Sequence, residues 1–505
     1  MKRTDKKKKI AYAVSVFLLS FSLYFYTLPP TFLWSDSSKL ALEVKHRDIY
    51  DFSHGYHPLH TVIGIIFSYL PYELAVTQHI LSSFFAAAAI VILFLFLKEA
   101  GFHNLPSIGG ALILSVSHSF WLYAVITETY SLHAFFLATL LWLTQKYRNT
   151  QRTQYLLLIC FFLGLSFYNH SISAFFILPI GLLVFGGVPI RIRHVGYALL
   201  AFLCGISPLF LVPMYKLGFG ATMEKILHDT HGHITLFIQW KKILTESWKF
   251  PLYLLYQFPC AIVCGVFGIQ PLWKKDRLLS YSLLFLFTSN TAFAMTYFLQ
   301  RQFALLIASY LVFAVWIAAG FEALLEWRPF ITLKKQIAIL LLLVLSPVAV
   351  YMIFPRVYKM TGIHLLNIRN LPYRDSIEYF FTPSKRHLVG AYQYAKDVFD
   401  RVDNNAIIFS DFNIAMALQY YQEVYNVRPD VTIMQVIDSI YFSSSNPVEE
   451  LTALIHQHQT HPLYFADTYE PYYFISQLEN TFKFEAIGAI VKIHPLDDTP
   501  RQEKK

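Results

Sequence analysis

Apolar stretches about twenty residues long alternate with short polar connections over the first 354 residues of the chain. A helix needs about 20 apolar residues to cross a bilayer. The pattern therefore predicts about eleven transmembrane helices, near residues 10–28, 75–97, 106–123, 129–145, 154–168, 172–189, 195–214, 251–270, 278–298, 302–325 and 336–354. The shorter apolar run at 61–71 predicts a helix that lies in the membrane interface.

Three stretches do not follow this pattern: a first loop at 29–60, a second at 215–250, and the region from residue 355 to 505. From Pro383 onward, short apolar runs such as AIIFSD and DVTIMQVI alternate with amphipathic ones. Strands separated by helices predict an α/β domain with a mainly parallel sheet. The predicted fold is a polytopic α-helical membrane protein, residues 1–354, followed by a C-terminal soluble α/β domain, residues 355–505.

Composition and charge add an orientation to this picture. Hydrophobic residues make up 55% of the chain and charged residues 14%, whereas soluble proteins carry about 25% charged residues. Lysine and arginine cluster in the N-terminal MKRTDKKKK and in every second connection. The positive-inside rule then predicts a multi-pass protein of the cell membrane with a cytoplasmic N-terminus and an exported C-terminal domain. This placement makes the basic tail an orientation signal rather than a nucleic-acid site.

The first loop, FLWSDSSKLALEVKHRDIYDFSHGYHPLH, is unusually rich in titratable groups. Asp36 stands beside Trp34, and His54 and His57 follow before the interfacial helix. A carboxylate, an aromatic wall and histidines at a membrane surface suit a lipid-borne substrate. The alternative is a solvated loop, which we expect for Glu43, Lys45, Arg47 and Asp48.

Four further polar residues lie at the predicted outer face. Glu128 is near the outer end of the fourth span, where a charge is costly and is therefore functional or paired. Asn169 and His170 occupy a tight outer turn, either as helix caps or as site residues. Arg301 is the lone cation of the short outer turns, and a guanidinium binds phosphate oxygens bidentately. The histidines of HDTHGHI at 228–233 fit no zinc spacing, so no metal or cofactor is expected.

These motifs together resemble a known family. They are the Asp-Ser pair after the first span, the His-Pro-type motif before the interfacial helix, FWLYAVITETYSL, GLSFYNH, and the aromatic segment with Arg301. The chain is similar over residues 30–180, and more loosely over 290–325, to the bacterial relatives of protein O-mannosyltransferases in the GT-C superfamily of membrane glycosyltransferases. AIIFSDFNIAMALQYYQEVYNVRPDVTI looks like the start of that family's soluble region.

The resemblance implies a GT-C-like fold with an outward cavity, a polyprenyl-phosphate sugar donor, and Asp36 as general base. The family's Asp-Ser-Gly-Glu reads Asp-Ser-Ser-Lys here, with Lys39 in the glutamate position. The expected activity is inverting transfer of a sugar, with mannose as one candidate, to a hydroxyl of a protein or glycan at the outer face. The expected substrate-binding residues are Trp34, His54, His57, Glu128, Asn169, His170 and Arg301.

Two other classes of function remain open at this point. A transporter or flippase for lipid-linked sugars is expected to carry paired charges near mid-membrane and inverted repeats, and the sequence shows neither. A non-catalytic scaffold that presents the C-terminal domain is the other alternative, and it requires that Asp36 be dispensable.

Overall fold

The computed structural model describes residues 3–50, 56–186, 192–227, 240–296, 302–327, 331–362 and 369–496. The chain divides into two compact units. The first unit comprises Met1–Leu28, Glu43–Thr361 and Phe381–Lys385, and the second comprises Pro29–Leu42, Gly362–Phe380 and Arg386–Lys505.

Helices account for nearly all regular structure before residue 362. In chain order they are α1 (Arg3–Tyr26), α2 (Asp36–His46), α3 (Pro58–Phe67), α4 (Leu74–Glu99), α5 (Asn104–Ser115), α6 (His118–Val125), α7 (Tyr130–Thr150), α8 (Thr153–Asn169), a 3-10 helix (Ser171–Phe176), α9 (Ile177–Phe185), α10 (Ile192–Leu217), α11 (Trp240–Glu246), α12 (Lys249–Gln257), α13 (Ile262–Lys275), α14 (Arg277–Thr296), α15 (Gln302–Leu305), α16 (Ile307–Trp327) and α17 (Leu333–Thr361).

Several of these helices are long and apolar enough to cross a membrane. Within the described residues six qualify, and the count rises to eight if each of two bent helix pairs forms one span. The six are Lys6–Tyr26, Leu74–Glu99, His194–Leu217, Arg277–Thr296, Ile307–Trp327 and Leu333–Thr361. The mostly helical character with several long apolar helices is thus confirmed, while membrane crossing and the number of eleven spans stay predictions.

The two bent pairs correct the prediction of single helices at 106–123 and 251–270. Helices α12 and α13 meet at 99°, and the break contains Pro259, which lacks an N–H and clashes with the preceding turn. Helices α5 and α6 meet at 63°. The hydroxyl of Ser117 at this break donates to the Leu114 carbonyl at 2.8 Å, so a side chain replaces part of the interrupted helical bonding.

Glycines allow two helix pairs of the first unit to approach closely. A Cβ added to Gly268 in α13 would collide with the Trp316 carbonyl and lie 2.6 Å from the Gly320 nitrogen, both backbone atoms of α16. Gly164 in α8 and Gly205 in α10 face each other's backbones in the same manner. Small residues permit such contacts, which hold helices together where apolar burial does not distinguish protein from lipid.

Ion pairs join helices at connections that were predicted to be cytoplasmic. Lys146 lies 2.8 Å from Glu99, and Arg148 lies 2.8 Å from Asp276. Lys275 pairs with Glu322 at 3.0 Å. Two of these pairs join the ends of different helices, and Arg148 joins the end of α7 to the connection between α13 and α14. The charges that set the predicted orientation therefore also hold the helix ends together. The orientation itself remains a prediction.

The second unit contains a five-stranded sheet in the order β2-β1-β3-β5-β4. Its elements are α18 (Ser376–Phe381), α19 (Gly390–Arg401), β1 (Ile407–Ser410), α20 (Phe412–Val424), β2 (Thr432–Gln435), α21 (Ile437–Ser443), α22 (Pro447–Gln457), β3 (Leu463–Phe465), α23 (Glu470–Tyr473), α24 (Ile475–Leu478), β4 (Phe482–Ile487) and β5 (Ile490–Pro495).

The predicted parallel pairing holds for only part of this sheet. Strand β1 is parallel to β2 and β3, whereas β5 is antiparallel to both β3 and β4. The antiparallel hairpin turns at Gly488, whose φ of 64° favours glycine. A mainly parallel sheet was therefore wrong for the last two strands, and the missed signal was the glycine between two alternating runs.

The segment Pro29–Leu42 is part of the second unit, although residues 29–60 were predicted as a loop of the membrane domain. The backbone N–H of Ser35 donates to the Asn413 carbonyl at 3.1 Å. The Phe32 ring is buried with its centroid 4.7 Å from that of Tyr420. The sheet unit is thus completed by residues from the beginning of the chain.

Candidate active site

His57, Asn169 and His170 are brought together in the first unit. His57 directly precedes α3, and Asn169 ends α8. The His57 Nδ1 lies 2.8 Å from the backbone carbonyl of Asn169, and the rings of His57 and His170 are 4.6 Å apart. Two motifs more than a hundred residues apart in sequence therefore form one group.

The hydrogen bonds indicate complementary states for the two imidazoles. A carbonyl can only accept, so the Nδ1 of His57 carries the proton that it donates to Asn169. The backbone N–H of Ile172 donates to Nδ1 of His170 at 3.3 Å, so a neutral His170 carries its proton on Nε2. When both rings are neutral, His57 has its acceptor at Nε2 and His170 has its donor there.

Two aromatic residues of α7 extend this group. The ring centroid of Tyr130 lies 5.9 Å from that of His170, and His133 lies 5.8 Å from it. We refer to His57, Tyr130, His133 and His170 as the histidine cluster. The sequence prediction missed Tyr130 and His133. They follow Glu128 and are three residues apart, which places both on one face of a helix.

Glu128 lies in the short connection between α6 and α7 and is buried. Its backbone N–H donates to the Ser82 hydroxyl at 3.4 Å. The next residue, Thr129, accepts a hydrogen bond from the Asn169 side-chain amide at 3.4 Å. The connection that carries Glu128 is therefore tied to both α4 and the end of α8.

Glu43 was expected to be solvated, and this expectation was wrong. Its side chain is buried, and the Thr61 hydroxyl donates to its Oε2 at 3.0 Å. The reason is that the predicted loop forms the helix α2, in which residues 40–44 are all buried. Lys45 and Arg47 are exposed, as expected. A buried carboxylate is costly unless it is hydrogen-bonded.

His60 is a second buried group that the prediction did not single out. Neither ring nitrogen has a hydrogen-bond partner among the described residues. Burial, with a smaller contribution from nearby His57, lowers the pKa of His60 to about 3. This imidazole is therefore neutral at physiological pH. Its sequence signal was its place at i+3 from His57 in HPLH.

Trp34 and Asp36 lie in the second unit. Trp34 is buried, with its ring centroid 5.3 Å from that of Tyr394. Asp36 is the first residue of α2 and is half-buried. Ser35, just before it, has a φ of 62°, which is uncommon for a residue other than glycine. The predicted residues His54 and Arg301, and the histidines at 228–233, lie outside the described residues.

One group of described residues has donor atoms close enough to hold a metal ion: His103, Glu322 and Glu326. It does not include any residue of the histidine cluster. Glu322 already pairs with Lys275 and accepts the backbone N–H of His103 at 2.7 Å. These contacts give Glu322 a structural role in joining helix ends.

One known protein family matches the part of the chain that carries most of these motifs. Residues 40–187 match the model of the family described as the protein O-mannosyl-transferase TMEM260 N-terminal domain. The matched region contains Glu43, the histidine cluster and Glu128, and it begins just after Trp34 and Asp36. None of the curated proteins matches the chain.

Solved structures similar to the chain have the same fold along nearly its whole length. ArnT from Cupriavidus metallidurans in the apo state is 9% identical with a TM-score of 0.54, and 96% of this chain and 98% of ArnT are covered. ArnT bound to undecaprenyl phosphate is 10% identical with a TM-score of 0.52, with 99% of each covered.

An Archaeoglobus fulgidus oligosaccharyltransferase tethered to an acceptor peptide is also similar. It is 12% identical with a TM-score of 0.53, and 97% of this chain and 74% of that protein are covered. Both similar proteins are GT-C glycosyltransferases. The chain therefore has the GT-C fold, and the predicted resemblance to this superfamily and to the O-mannosyltransferases is confirmed.

Proposed function

We propose that the chain is a membrane glycosyltransferase that moves a sugar from a polyprenyl-phosphate donor to a hydroxyl group of a protein or glycan. The transfer takes place at the outer face of the cell membrane. The family match over residues 40–187 carries this proposal, because it contains the residues that converge in the histidine cluster. The similar fold of ArnT, whose structure holds undecaprenyl phosphate, supports a lipid-linked donor. Mannose is one candidate sugar.

The proposed chemistry is a single displacement with inversion. Asp36 accepts the proton of the acceptor hydroxyl while that oxygen forms a bond to the anomeric carbon. The bond from this carbon to the phosphate oxygen breaks, and polyprenyl phosphate leaves with the electron pair. Arg301 stabilises the negative charge that develops on the leaving phosphate. No metal enters this scheme.

The binding of sugar and acceptor is assigned to the residues expected from the sequence. His57 and His170 supply an acceptor and a donor nitrogen, which suits sugar hydroxyls because each hydroxyl both donates and accepts. Glu128 and Asn169 hold the connection beside them. His54, in the first loop, is a further residue proposed to bind the sugar or the acceptor.

The direct test of the proposal measures transfer from a labelled donor. Membranes that contain the chain are incubated with polyprenyl phosphates carrying labelled mannose, glucose or galactose, and the label is followed into protein, glycan and lipid. We expect label in a protein or glycan fraction, and none with membranes that lack the chain. Movement of the intact donor across the bilayer without any transfer would favour a flippase, and neither result would favour a scaffold.

Arg301 provides a separate prediction about the donor. If Arg301 binds the phosphate, Arg301→Ala weakens donor binding about tenfold or more, since a charge-assisted hydrogen bond is lost. Arg301→Lys has a smaller effect because a point charge replaces only part of the bidentate contact. Binding is measured with a labelled polyprenyl-phosphate sugar and the purified protein. Arg277→Lys, at a predicted cytoplasmic connection, is the control, and equal affinity in all variants would exclude a phosphate contact.

A further inference from the structure

Three aspartates lie at the same edge of the sheet in the second unit. Asp411 follows β1 directly, Asp438 follows β2 within α21, and Asp467 comes two residues after β3. These are the three neighbouring strands that run parallel. Ligands of open α/β sheets bind outside the carboxyl ends of parallel strands, so this edge is where a binding site is expected.

Arg369 connects two of these carboxylates. Its Nη2 donates to the Oδ2 of Asp411 at 2.8 Å and to the Oδ2 of Asp467 at 2.5 Å. Asp411 is fully buried and also accepts the Tyr473 hydroxyl at 2.9 Å. Asp438 accepts the backbone N–H of Phe412. Arg369, Asp411 and Asp467 therefore form one network, and Asp438 is linked to it through the backbone of Phe412, the residue after Asp411. The four charged groups together carry an excess of negative charge.

Two of the three guanidinium nitrogens of Arg369 make no hydrogen bond in this network. Within the described part of the chain, the Nε and Nη1 nitrogens of Arg369 are buried and have no acceptor. A guanidinium that served only to join two carboxylates would be expected to use its paired nitrogens bidentately. Here both carboxylates bind the same nitrogen. Two strong donors thus remain for another acceptor.

Aromatic side chains lie directly beside this network. The guanidinium carbon of Arg369 is 4.7 Å from the Tyr469 ring centre and 5.0 Å from that of Tyr472. Tyr472 in turn packs against Tyr441, with 4.6 Å between ring centroids, and Tyr441 against Phe442 at 4.8 Å. We call Tyr441, Phe442, Tyr469 and Tyr472 the aromatic surface.

The aromatic surface is partly open to solvent. Tyr441 is 39% exposed and Phe442 is 64% exposed. Neighbouring exposed aromatic residues next to a polar network indicate a binding surface rather than ordinary surface composition. Their rings offer flat apolar area, while the network beside them offers both acceptors and donors.

The charges narrow the class of ligand. Three carboxylates against one guanidinium repel an anion, so a phosphate or sulfate group is disfavoured. A sugar ring has an apolar face that packs on an aromatic ring, and its hydroxyls donate to carboxylates and accept from a guanidinium. Burial raises the pKa of Asp438 to about 6, so this group is still mainly a carboxylate at neutral pH and accepts hydrogen bonds from hydroxyls.

We propose that the carboxyl edge of β1, β2 and β3 in the second unit, with the aromatic surface beside it, binds a neutral saccharide. Asp467 and Arg369 hydrogen-bond the sugar hydroxyls, and the aromatic surface packs against the ring. This site uses no residue of the histidine cluster, and its existence does not depend on the proposed transfer reaction. It gives the second unit a role in holding a glycan.

The test uses the full-length protein in lipid nanodiscs and the α-methyl glycosides of mannose, glucose, galactose and N-acetylglucosamine. Saturation-transfer NMR detects binding of weak ligands, with dissociation constants on the order of 1 mM expected. The double variant Tyr441→Ala/Phe442→Ala is expected to weaken binding of at least one sugar about fivefold or more, since two aromatic contacts are lost. Both side chains are exposed, so the variant keeps its fold, which its thermal midpoint verifies.

Two controls separate this site from the rest of the molecule. Tyr425 is 38% exposed in the same unit, so Tyr425→Ala matches the exposure of Tyr441 and is expected to bind like the unmodified protein. His57→Ala alters the histidine cluster, where sugar binding is also proposed, so a loss of signal in this variant identifies the glycosides that bind there rather than in the second unit. A glycoside that binds equally to all variants, or no binding of any glycoside at about 10 mM, would overturn the proposal.

A second variant and a second measurement address the remaining outcomes. Arg369→Lys keeps a charge between the aspartates but removes the two unused nitrogens, so sugar binding is expected to fall while the thermal midpoint changes little. If binding is unchanged, the network is a structural ion triad only. If hydrogen exchange at residues 437–443 is slowed by nanodisc lipid without sugar, the aromatic surface contacts the membrane and the saccharide proposal fails.

Discussion

Asp36→Asn is expected to lower turnover by about 100-fold or more while leaving donor binding nearly unchanged. Asparagine keeps the size of the side chain and an acceptor oxygen, but it cannot take the proton of the attacking hydroxyl. Contributions of general bases are typically of this size. Turnover is measured with the labelled donor at matched protein levels, and donor binding is measured separately on the same preparations.

The control for Asp36 lies in the same stretch of the chain. Asp48 is half-buried and accepts the backbone N–H of Tyr50 at 2.9 Å, a bond that asparagine can also form. Asp48→Asn is therefore expected to transfer sugar at nearly the unmodified rate. Normal transfer by Asp36→Asn would exclude Asp36 as the base, and equal loss in both variants would indicate a folding defect.

Glu43→Gln adds a distinction within this experiment. Glu43 is a buried carboxylate one helical turn after Lys39, which occupies the glutamate position of the related family. Glutamine keeps the acceptor for the Thr61 hydroxyl. If Glu43→Gln lowers turnover while thermal stability is unchanged, Glu43 performs the role of the glutamate that the related family has at the position of Lys39.

Gly268→Ala is expected to destabilise the first unit by about 1–3 kcal/mol, the usual cost of overpacking, or more. The added methyl group would meet the backbone of α16 at Trp316 and Gly320, which cannot move aside as a side chain can. Helices α13 and α16 would have to separate. The thermal midpoint in detergent and the yield of monodisperse protein measure this effect.

Gly181 in α9 provides the matched control, because a Cβ added there meets nothing within 4 Å. Gly181→Ala is expected to be neutral or stabilising by up to about 1 kcal/mol, as alanine favours a helix over glycine. If Gly268→Ala were as stable as Gly181→Ala, close packing of α13 on α16 would be refuted.

Apolar length alone was sufficient to predict where most helices lie, because burial in lipid requires every backbone group to be bonded within its own helix. The breaks were harder to predict. Pro259 is a local signal for the bend between α12 and α13, whereas the bend after Ser115 has no proline or glycine. That bend depends on packing partners that a single helix sequence does not encode.

The candidate site shows the same division between local and long-range information. Asn169, His170 and Glu128 were recognisable because each interrupts an apolar stretch, and His57 because it lies in the polar first loop. Glu43 was wrongly predicted to be solvated, and His133 was missed. Both depend on which face of a helix is buried, and this is set by residues elsewhere in the chain. Trp34 was recognised as a candidate, but its contact with Tyr394 depends on residues 360 positions away.

The contribution of Pro29–Leu42 to the second unit has a consequence for how the protein is made. At a synthesis rate of about 5–20 residues per second, the partners of Ser35 and Phe32 near residue 413 emerge roughly half a minute later. Residues 29–42 therefore lack the residues they pack against until most of the chain has been translated. For the same reason, a fragment beginning at residue 362 would lack Phe32 and Trp34 and would expose the apolar surface that they cover.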